Sequence, residues 1–143
     1  MNTLVDTSVW SLALRRQLKD LTAAEHAVVG ELTDLTREGR ARIIGLIRQE
    51  LLSGIRTPAQ YARLRVALRA FPDEPIATSD YEAAAQASNT CRSKGIAASV
   101  VDALICQIGL SRQWSIFTTD PDFKKYAKAL PIMLHTPRVT SDR

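Results

Sequence analysis

Residues 3–10 read TLVDTSVW, a stretch in which an apolar run closes on an acid before a helical pattern begins. Residues 3–6 are a short apolar run that ends on Asp6, which predicts a β-strand with an acid at its carboxyl end. The pattern from Ser8 to about Lys19 is helical, so the chain passes directly from strand to helix. Open parallel sheets bind ligands beyond the carboxyl ends of their strands, which is where Asp6 lies.

The rest of the chain alternates between helices and strands. Thr22 and Glu25 have the spacing of a capping box, which predicts the start of a second helix, and Gly39 ends it. Beyond it we predict strands at 42–46, 115–118 and 132–135, and helices at 49–54, 58–71, 79–94, 100–113 and 122–130. This alternation favours a parallel sheet with helices on both faces, a three-layer α/β/α fold.

The composition is that of a single globular domain. The 143 residues are 45% hydrophobic and 24% charged, and a chain of this length buries a sizeable core. We expect one domain over 1–136 and a polar C-terminal tail over 137–143. No apolar run approaches the ~20 residues that span a bilayer. The N-terminus also lacks a signal-peptide pattern, so we expect a cytoplasmic protein without a membrane association.

The charged residues indicate the chemical class of a binding partner only weakly. The net charge of +4 is compatible with a polyanionic partner but does not identify one. Two basic clusters stand out, although solvated helix faces explain them equally well: Arg56, Arg63, Arg65 and Arg69, and Lys124, Lys125 and Lys128.

Cys91 and Cys106 belong to no CxxC motif and have no histidine pair nearby, so they predict two reduced, buried thiols rather than a zinc site.

Four of the fifteen acids lie in apolar surroundings. Asp6 and Asp120 each follow a predicted strand, Glu50 comes shortly after another strand, and Asp102 interrupts the apolar run SVVDALIC. A carboxylate in such surroundings costs several kcal/mol unless its charge is compensated. Three of the four contexts contain no adjacent lysine or arginine, so a divalent cation is the natural compensator.

Each acid also has a simpler explanation. Asp6 and Asp120 would serve as caps of the helices that follow them. Glu50 would be a first-turn acid favoured by the helix dipole, and so would Asp122, which has a lesser claim to the metal site. Asp102 is the hardest to explain in this way. If the acids do converge, all-oxygen ligands select Mg²⁺, or Mn²⁺ in its place, over zinc or copper.

Four segments of the sequence resemble the PIN-domain family and, within it, the VapC-type toxin ribonucleases. They are LVDTSVW at 4–10, RQELLSG at 48–54, SVVDALI at 99–105 and FTTDPDF at 117–123. Their order and spacing carry the resemblance over nearly the whole chain. It implies a five-stranded parallel sheet, whereas the pattern alone predicts four strands. The candidate for the fifth strand is 75–77.

The resemblance also implies a function. It assigns the catalytic, metal-binding site to Asp6, Glu50, Asp102 and Asp120. It implies that Ser8 and Thr118 or Thr119 support these acids or contact phosphate, and that Asp122 lies where many relatives carry a further acid. An RNA substrate, a VapB-like antitoxin that blocks the site, and a homodimer follow from the same resemblance.

Two other functions stay open at this point. A phosphatase or phosphotransfer domain with an aspartate nucleophile would use Asp6, but it leaves Glu50 and Asp102 without a role. A degenerate PIN module would hold RNA without cutting it, and the presence of all four acids argues against that. We therefore predict an Mg²⁺-dependent endoribonuclease that hydrolyses phosphodiester bonds.

Overall fold

Three short strands form a parallel sheet at the centre of the computed structural model, which describes residues 1–138. They are β1 (Thr3–Val5), β2 (Ala41–Arg42) and β3 (Ser115–Phe117), in the order β2-β1-β3. In the middle strand, Leu4 pairs with Arg42 on one side and with Ile116 on the other. The strands predicted at 3–6 and 115–118 are thus confirmed, with shorter bounds. The strand predicted at 42–46 is present but shifted, because β2 covers only Ala41–Arg42 and residues 45–46 already belong to the helix that begins at Gly45.

Two isolated parallel bridges extend this sheet, between Ile43 and Asp73 and between Ile116 and Leu134. The prediction of a strand at 132–135 is therefore wrong, because this segment contributes a single bridge. Pro131 has no N–H to donate, and the neighbouring β3 offers only three residues for pairing. Residues 75–77 form no strand either, since the chain meets the sheet at Asp73 instead.

Seven α-helices cover the sheet within residues 1–138. They are α1 (Thr7–Leu14), α2 (Ala23–Arg37), α3 (Gly45–Leu52), α4 (Pro58–Leu68), α5 (Thr78–Ser93), α6 (Val100–Arg112) and α7 (Asp122–Tyr126). None of the helices in this part of the chain is both long and apolar enough to cross a membrane.

Local signals in the sequence account for most helix ends. Thr22 and Glu25 form the predicted capping box of α2, and Gly39 follows that helix with a φ of 69°. The first helix is shorter than predicted, because it ends at Leu14 and a separate 3-10 turn forms at Leu18–Asp20. The last helix likewise ends at Tyr126 rather than at residue 130.

Both faces of the sheet are buried. Every residue of β1 and β3 is buried, and successive side chains of a strand point to opposite faces. Helices must therefore cover both sides, which confirms the α/β/α architecture with a central parallel sheet. The largest buried side chains include Trp10, whose Nε1 donates a hydrogen bond of 2.9 Å to the carbonyl of Val5.

The two cysteines are buried and unpaired by a disulfide, as predicted. Burial raises the pKa of the Cys106 thiol to about 12. The thiol therefore stays protonated at neutral pH, and Cys106 is a core residue rather than a nucleophile.

The C-terminal end of the described chain packs on α2. The predicted tail over 137–143 lies mostly outside the described residues, which end at Arg138. The Arg138 backbone N–H and guanidinium both donate to the carboxylate of Glu31, with Nη2 lying 2.6 Å from Oε1. This contact fixes Arg138 against the domain.

Candidate active site

Asp6 lies at the carboxyl end of β1, where the chain turns into α1. Its backbone is extended (φ −74°, ψ 157°), and its side chain makes no capping bond to the helix. Instead, Oδ2 accepts hydrogen bonds of 2.8 Å from Ser8 Oγ and from Thr118 Oγ1. The interpretation of the Asp6 carboxylate as a helix cap is therefore wrong. Within residues 1–138, no hydrogen bond reaches its other oxygen, Oδ1.

The hydroxyls of Ser8 and Thr118 join the ends of two neighbouring strands. Ser8 Oγ accepts a hydrogen bond of 3.0 Å from the backbone N–H of Thr119. Thr118 Oγ1 accepts one of the same length from the backbone N–H of Asp120. Ser8 and Thr118 thus position Asp6 and the loop after β3 together, while Thr119 takes part through its backbone N–H.

Three carboxylates converge beside this loop. Oxygen atoms of Asp102, Asp120 and Asp122 all lie within 4.8 Å of one another. Asp102 comes from the first turn of α6, where its N–H donates to Ser99 Oγ at 3.0 Å. Asp120 follows β3, and its Oδ1 accepts a hydrogen bond of 2.9 Å from the N–H of Asp122 at the start of α7. The loop geometry therefore places Asp122 in the group as well as in the first turn of a helix.

Asp102 is the electrostatic centre of the cluster. Burial raises the pKa of its carboxyl, and the charges of Asp6 and Asp120 raise it further. A hydrogen bond of 2.6 Å from Tyr126 Oη to Oδ2 acts in the opposite direction, but the net pKa still lies above the ordinary value. The mutual repulsion of these carboxylates is thus only partly compensated by the protein.

Glu50 lies at the rim of the cluster rather than in it. It is exposed, it belongs to the last turn of α3, and its Oε2 accepts a hydrogen bond of 2.9 Å from Thr7 Oγ1. Thr7 directly follows Asp6, which places Glu50 beside the site. The alternative of a first-turn helix acid is wrong, because α3 begins five residues earlier at Gly45.

This arrangement fits a hard divalent cation. In each of Asp6, Asp102 and Asp120, one oxygen accepts a hydrogen bond from the protein. The second oxygen of each receives none from the described residues. Carboxylate oxygens are the ligands preferred by Mg²⁺ and Mn²⁺, and a cation would offset both the burial and the charges of Asp6 and Asp120 that raise the pKa of Asp102.

Tyr126 has a role that the sequence did not reveal. Tyr126 is buried against Phe123, with ring centroids 5.1 Å apart. Its hydroxyl, however, donates to Asp102 of another helix. The available signal was general: a buried tyrosine hydroxyl needs a hydrogen-bond partner, and only the fold shows which one.

Comparison with known proteins agrees with the geometry. The model of the PIN domain family matches residues 3–129 of the chain. No curated protein matches the sequence at a significant level.

Three solved structures illustrate the likeness of the fold. FitAcB from Neisseria gonorrhoeae has a TM-score of 0.74 at 19% identity, with 94% of this chain and 97% of that chain covered. VapBC2 from Rickettsia felis, bound to a DNA fragment from their promoter, has a TM-score of 0.71 at 14% identity and coverages of 94% and 98%. A toxin-antitoxin complex from Klebsiella pneumoniae has a TM-score of 0.58 at 18% identity and coverages of 85% and 90%. At these identities the likeness concerns the fold.

Proposed function

The chain belongs to the PIN domain family, and from this premise we propose that it is a metal-dependent endoribonuclease, the toxin of a VapC-type toxin–antitoxin pair. PIN domains are generally nucleases, so hydrolysis of phosphodiester bonds is the expected reaction class. The observation that carries the proposal is the convergence of Asp102, Asp120 and Asp122 within 4.8 Å, beside the hydrogen-bonded Asp6. This cluster lies where parallel sheets place their reactive groups.

Asp6, Asp102 and Asp120 would hold the cation, with Asp122 as a further ligand and Glu50 at the rim. A bound Mg²⁺ or Mn²⁺ would supply positive charge to the phosphate and lower the pKa of a water molecule. Ser8 and Thr118 keep Asp6 in place through their hydroxyls, and Tyr126 fixes the orientation of Asp102. The loop after β3 also carries the exposed hydroxyl of Thr119, which would be suited to contact a phosphate oxygen.

Hydrolysis by this site consumes one water molecule for each bond cut. The oxygen of water forms a bond to phosphorus, the bond from phosphorus to the 3′-oxygen breaks, and that oxygen takes up a proton. The products therefore carry 5′-phosphate and 3′-hydroxyl ends. A 2′,3′-cyclic phosphate would instead indicate attack by the ribose hydroxyl and would contradict the proposed mechanism.

A protein inhibitor is part of the proposal. The similar structures include a toxin-antitoxin complex, and an acidic site of this kind suits a partner segment that carries Arg or Lys. We place the chain in the cytoplasm, as a homodimer bound by a VapB-like antitoxin. Purification from native cells followed by mass spectrometry should recover a small protein with the chain. Recovery of the chain alone, active and harmless to its host, would contradict the toxin assignment.

The activity is tested with a labelled RNA incubated with the purified protein in Mg²⁺, in Mn²⁺ or in EDTA. Cleavage is expected with either metal and not in EDTA. Asp102→Asn and Asp120→Asn should each lower kcat/KM by at least about 10- to 100-fold, the loss that follows even from changes around a metal site. Glu50→Gln should have a smaller effect, because Glu50 lies at the rim.

Two exposed acids outside the site provide matched controls. Asp20→Asn removes the same charge as the aspartate variants, and Glu82→Gln does so for Glu50. Both controls should cleave as the wild type does. Loss of activity in the controls, or cleavage that persists in EDTA, would refute the metal-dependent mechanism.

A further inference from the structure

A cavity lined by four arginines lies between the end of α1 and the start of α4. It has a volume of about 580 Å³, and Arg15, Arg16, Arg56 and Arg63 line it together with apolar and amide side chains. Among residues 1–138, no aspartate or glutamate lines this cavity, which we call the arginine cavity. Four cations in one concave surface repel one another unless an anion lies between them.

The arginines of α4 divide between two sides of the helix. Arg63 faces the arginine cavity, whereas Arg65 and Arg69 line a different cavity that also contains Arg48 and Asp73. In that second cavity, Arg48 Nε already lies 2.9 Å from Asp73 Oδ1. Over residues 1–138, by contrast, Arg15, Arg56 and Arg63 form no salt bridge. Their charges are therefore available to a ligand.

A second, smaller cavity lies between the arginine cavity and the edge of the candidate active site. It has a volume of about 460 Å³, shares the lining residues Arg15 and Arg16 with the arginine cavity, and is also lined by Ser8 and Thr119. Ser8 donates a hydrogen bond to Asp6, so the smaller cavity reaches a residue that contacts the acidic site. Among the described residues, the one acid that lines it is Glu25, which lies 3.9 Å from Arg16 and also caps α2.

This arrangement solves a problem of charge that an acidic nuclease site creates. The carboxylates repel the phosphates of an approaching strand, so binding requires cations placed away from the reacting bond. Guanidinium groups match phosphate oxygens with paired donors and stay charged at every physiological pH. A cavity between two helices also suits one flexible strand better than a duplex, whose phosphates lie on a wide cylinder.

From these observations, and resting on the proposed function, we infer that the arginine cavity binds the phosphate backbone of single-stranded RNA whose cleaved bond lies at the acidic cluster. The RNA strand passes Arg15 and Arg16 and reaches Ser8. Arg56 and Arg63, which line the arginine cavity but not the smaller cavity beside Ser8, bind phosphates at the far end of this strand.

Binding is measured by fluorescence anisotropy of a short, unstructured, labelled RNA at several salt concentrations, in EDTA so that no cleavage occurs. The variant Arg56→Ala/Arg63→Ala is compared with Arg65→Ala/Arg69→Ala. All four side chains are exposed, and both variants remove two charges from the same part of the chain. Each lost phosphate contact should reduce the slope of log K against log salt by about 0.7. We expect a reduction of about 1.4 for the first variant and much less for the control.

The outcomes separate this inference from the proposed function. If the wild type binds RNA through Arg56 and Arg63 but cleaves none with Mg²⁺, the inferred binding of the RNA backbone by the arginine cavity stands and the nuclease proposal fails. If RNA is cleaved but the two double variants bind it with equal slopes, the inference is wrong. It is also wrong if labelled polyglutamate, and not RNA, depends on Arg56 and Arg63, because the cavity would then receive an acidic protein segment.

Discussion

Opposing interactions act on the ionised carboxylate of Asp102. A carboxylate in the first turn of a helix is favoured by the helix dipole, and Tyr126 donates to it. Burial and the charges of Asp6 and Asp120 nevertheless dominate and raise its pKa. The residue is therefore poorly stabilised as an anion until a cation binds, as expected of a site that trades stability for function.

The first prediction concerns Asp102→Asn in the absence of metal. Since the folded state raises the pKa of this acid, its ionised form destabilises the fold at neutral pH. That penalty disappears as the pH falls through the raised pKa towards the ordinary value of 3.8. In EDTA, Asp102→Asn should therefore melt a few degrees higher than the wild type near pH 7, and the difference should close in acid. Thermal melts followed by circular dichroism across this pH range measure it.

Metal and a control residue complete this test. Mg²⁺ should raise the melting temperature of the wild type, because it binds the folded state, and should raise that of the variant less. Asp20→Asn, at an exposed position, should show neither effect. A variant that melts below the wild type in EDTA at neutral pH would mean that Asp102 is a structural acid.

A site residue could be predicted from the sequence only where its neighbours in the chain indicate its role. Asp6, Asp102 and Asp120 stood out because a carboxylate in an apolar run needs compensation, and their neighbours in the chain provide none. Asp122 lies in the polar context TTDPDF, where only the family resemblance suggested a further acid; the structure brings a carboxylate oxygen of Asp122 within 4.8 Å of those of Asp102 and Asp120. Tyr126 could not have been predicted, because its contact with Asp102 depends on how two helices pack.

At the scale of elements, helix positions were more predictable than strands. Capping residues such as Thr22 and Ser99 define helix starts through short-range hydrogen bonds. A strand needs a neighbour, and the sequence does not show how much of an apolar run finds one. Residues 132–134 are apolar, yet this segment meets a strand of three residues and forms one bridge.

The contact of α6 with β3 leads to the second prediction. Gly109 lies in the last turn of α6, where a Cβ would come within 3.1 Å of Ile116 Cδ1 and Cγ1 and 3.3 Å of the Trp114 carbonyl oxygen. Ile116 is fully buried in β3, so it cannot move aside easily. The overpacking cost of about 1–3 kcal/mol should exceed the gain of about 1 kcal/mol in helix propensity. Gly109→Ala should therefore lower the free energy of unfolding, measured by urea titration.

Gly30 in α2 is the matched control. No atom lies within 4 Å of a Cβ built at this position, so Gly30→Ala should stabilise the protein by about 0.5–1 kcal/mol. The two substitutions are chemically identical and both lie inside helices, so opposite signs would isolate the helix-to-strand contact. Equal stabilisation by both would show that α6 moves freely relative to β3, and the positions of Asp102 and Asp120 would then be poorly fixed.

The whole molecule is held together by contacts between distant parts of the chain. Glu31 of α2 is buried and accepts hydrogen bonds from the backbone and guanidinium of Arg138, 107 positions away. Burial raises the pKa of Glu31, but the hydrogen bonds and charge of Arg138 outweigh it, so the net pKa lies below the ordinary value. The C-terminal segment thus closes the fold against its N-terminal half.

The third prediction is that Arg138→Ala destabilises the protein by several degrees at neutral pH. Removing one partner leaves the other as a buried, uncompensated charge, although water around the half-exposed Arg138 limits the loss. Since the folded state lowers the pKa of Glu31, the stability provided by the pair is complete above 4.5, the ordinary value for glutamate. It is lost as the pH falls through the lowered pKa. The gap between variant and wild type should therefore be widest near pH 7 and close below pH 4.5.

Two further variants test whether Arg138 stabilises the fold through Glu31. Glu38 also pairs with Arg138, at 2.8 Å, but its side chain is 34% exposed, so Glu38→Gln should change the melting temperature little. Glu31→Gln combined with Arg138→Ala should melt higher than Arg138→Ala alone, because the uncompensated charge is then gone. If the two substitutions change the melting temperature additively, and the gap between Arg138→Ala and the wild type is the same at every pH, then Arg138 contributes only packing. A rescue by the double variant would instead show that the last described residue of the chain stabilises the fold through one buried charge in its second helix.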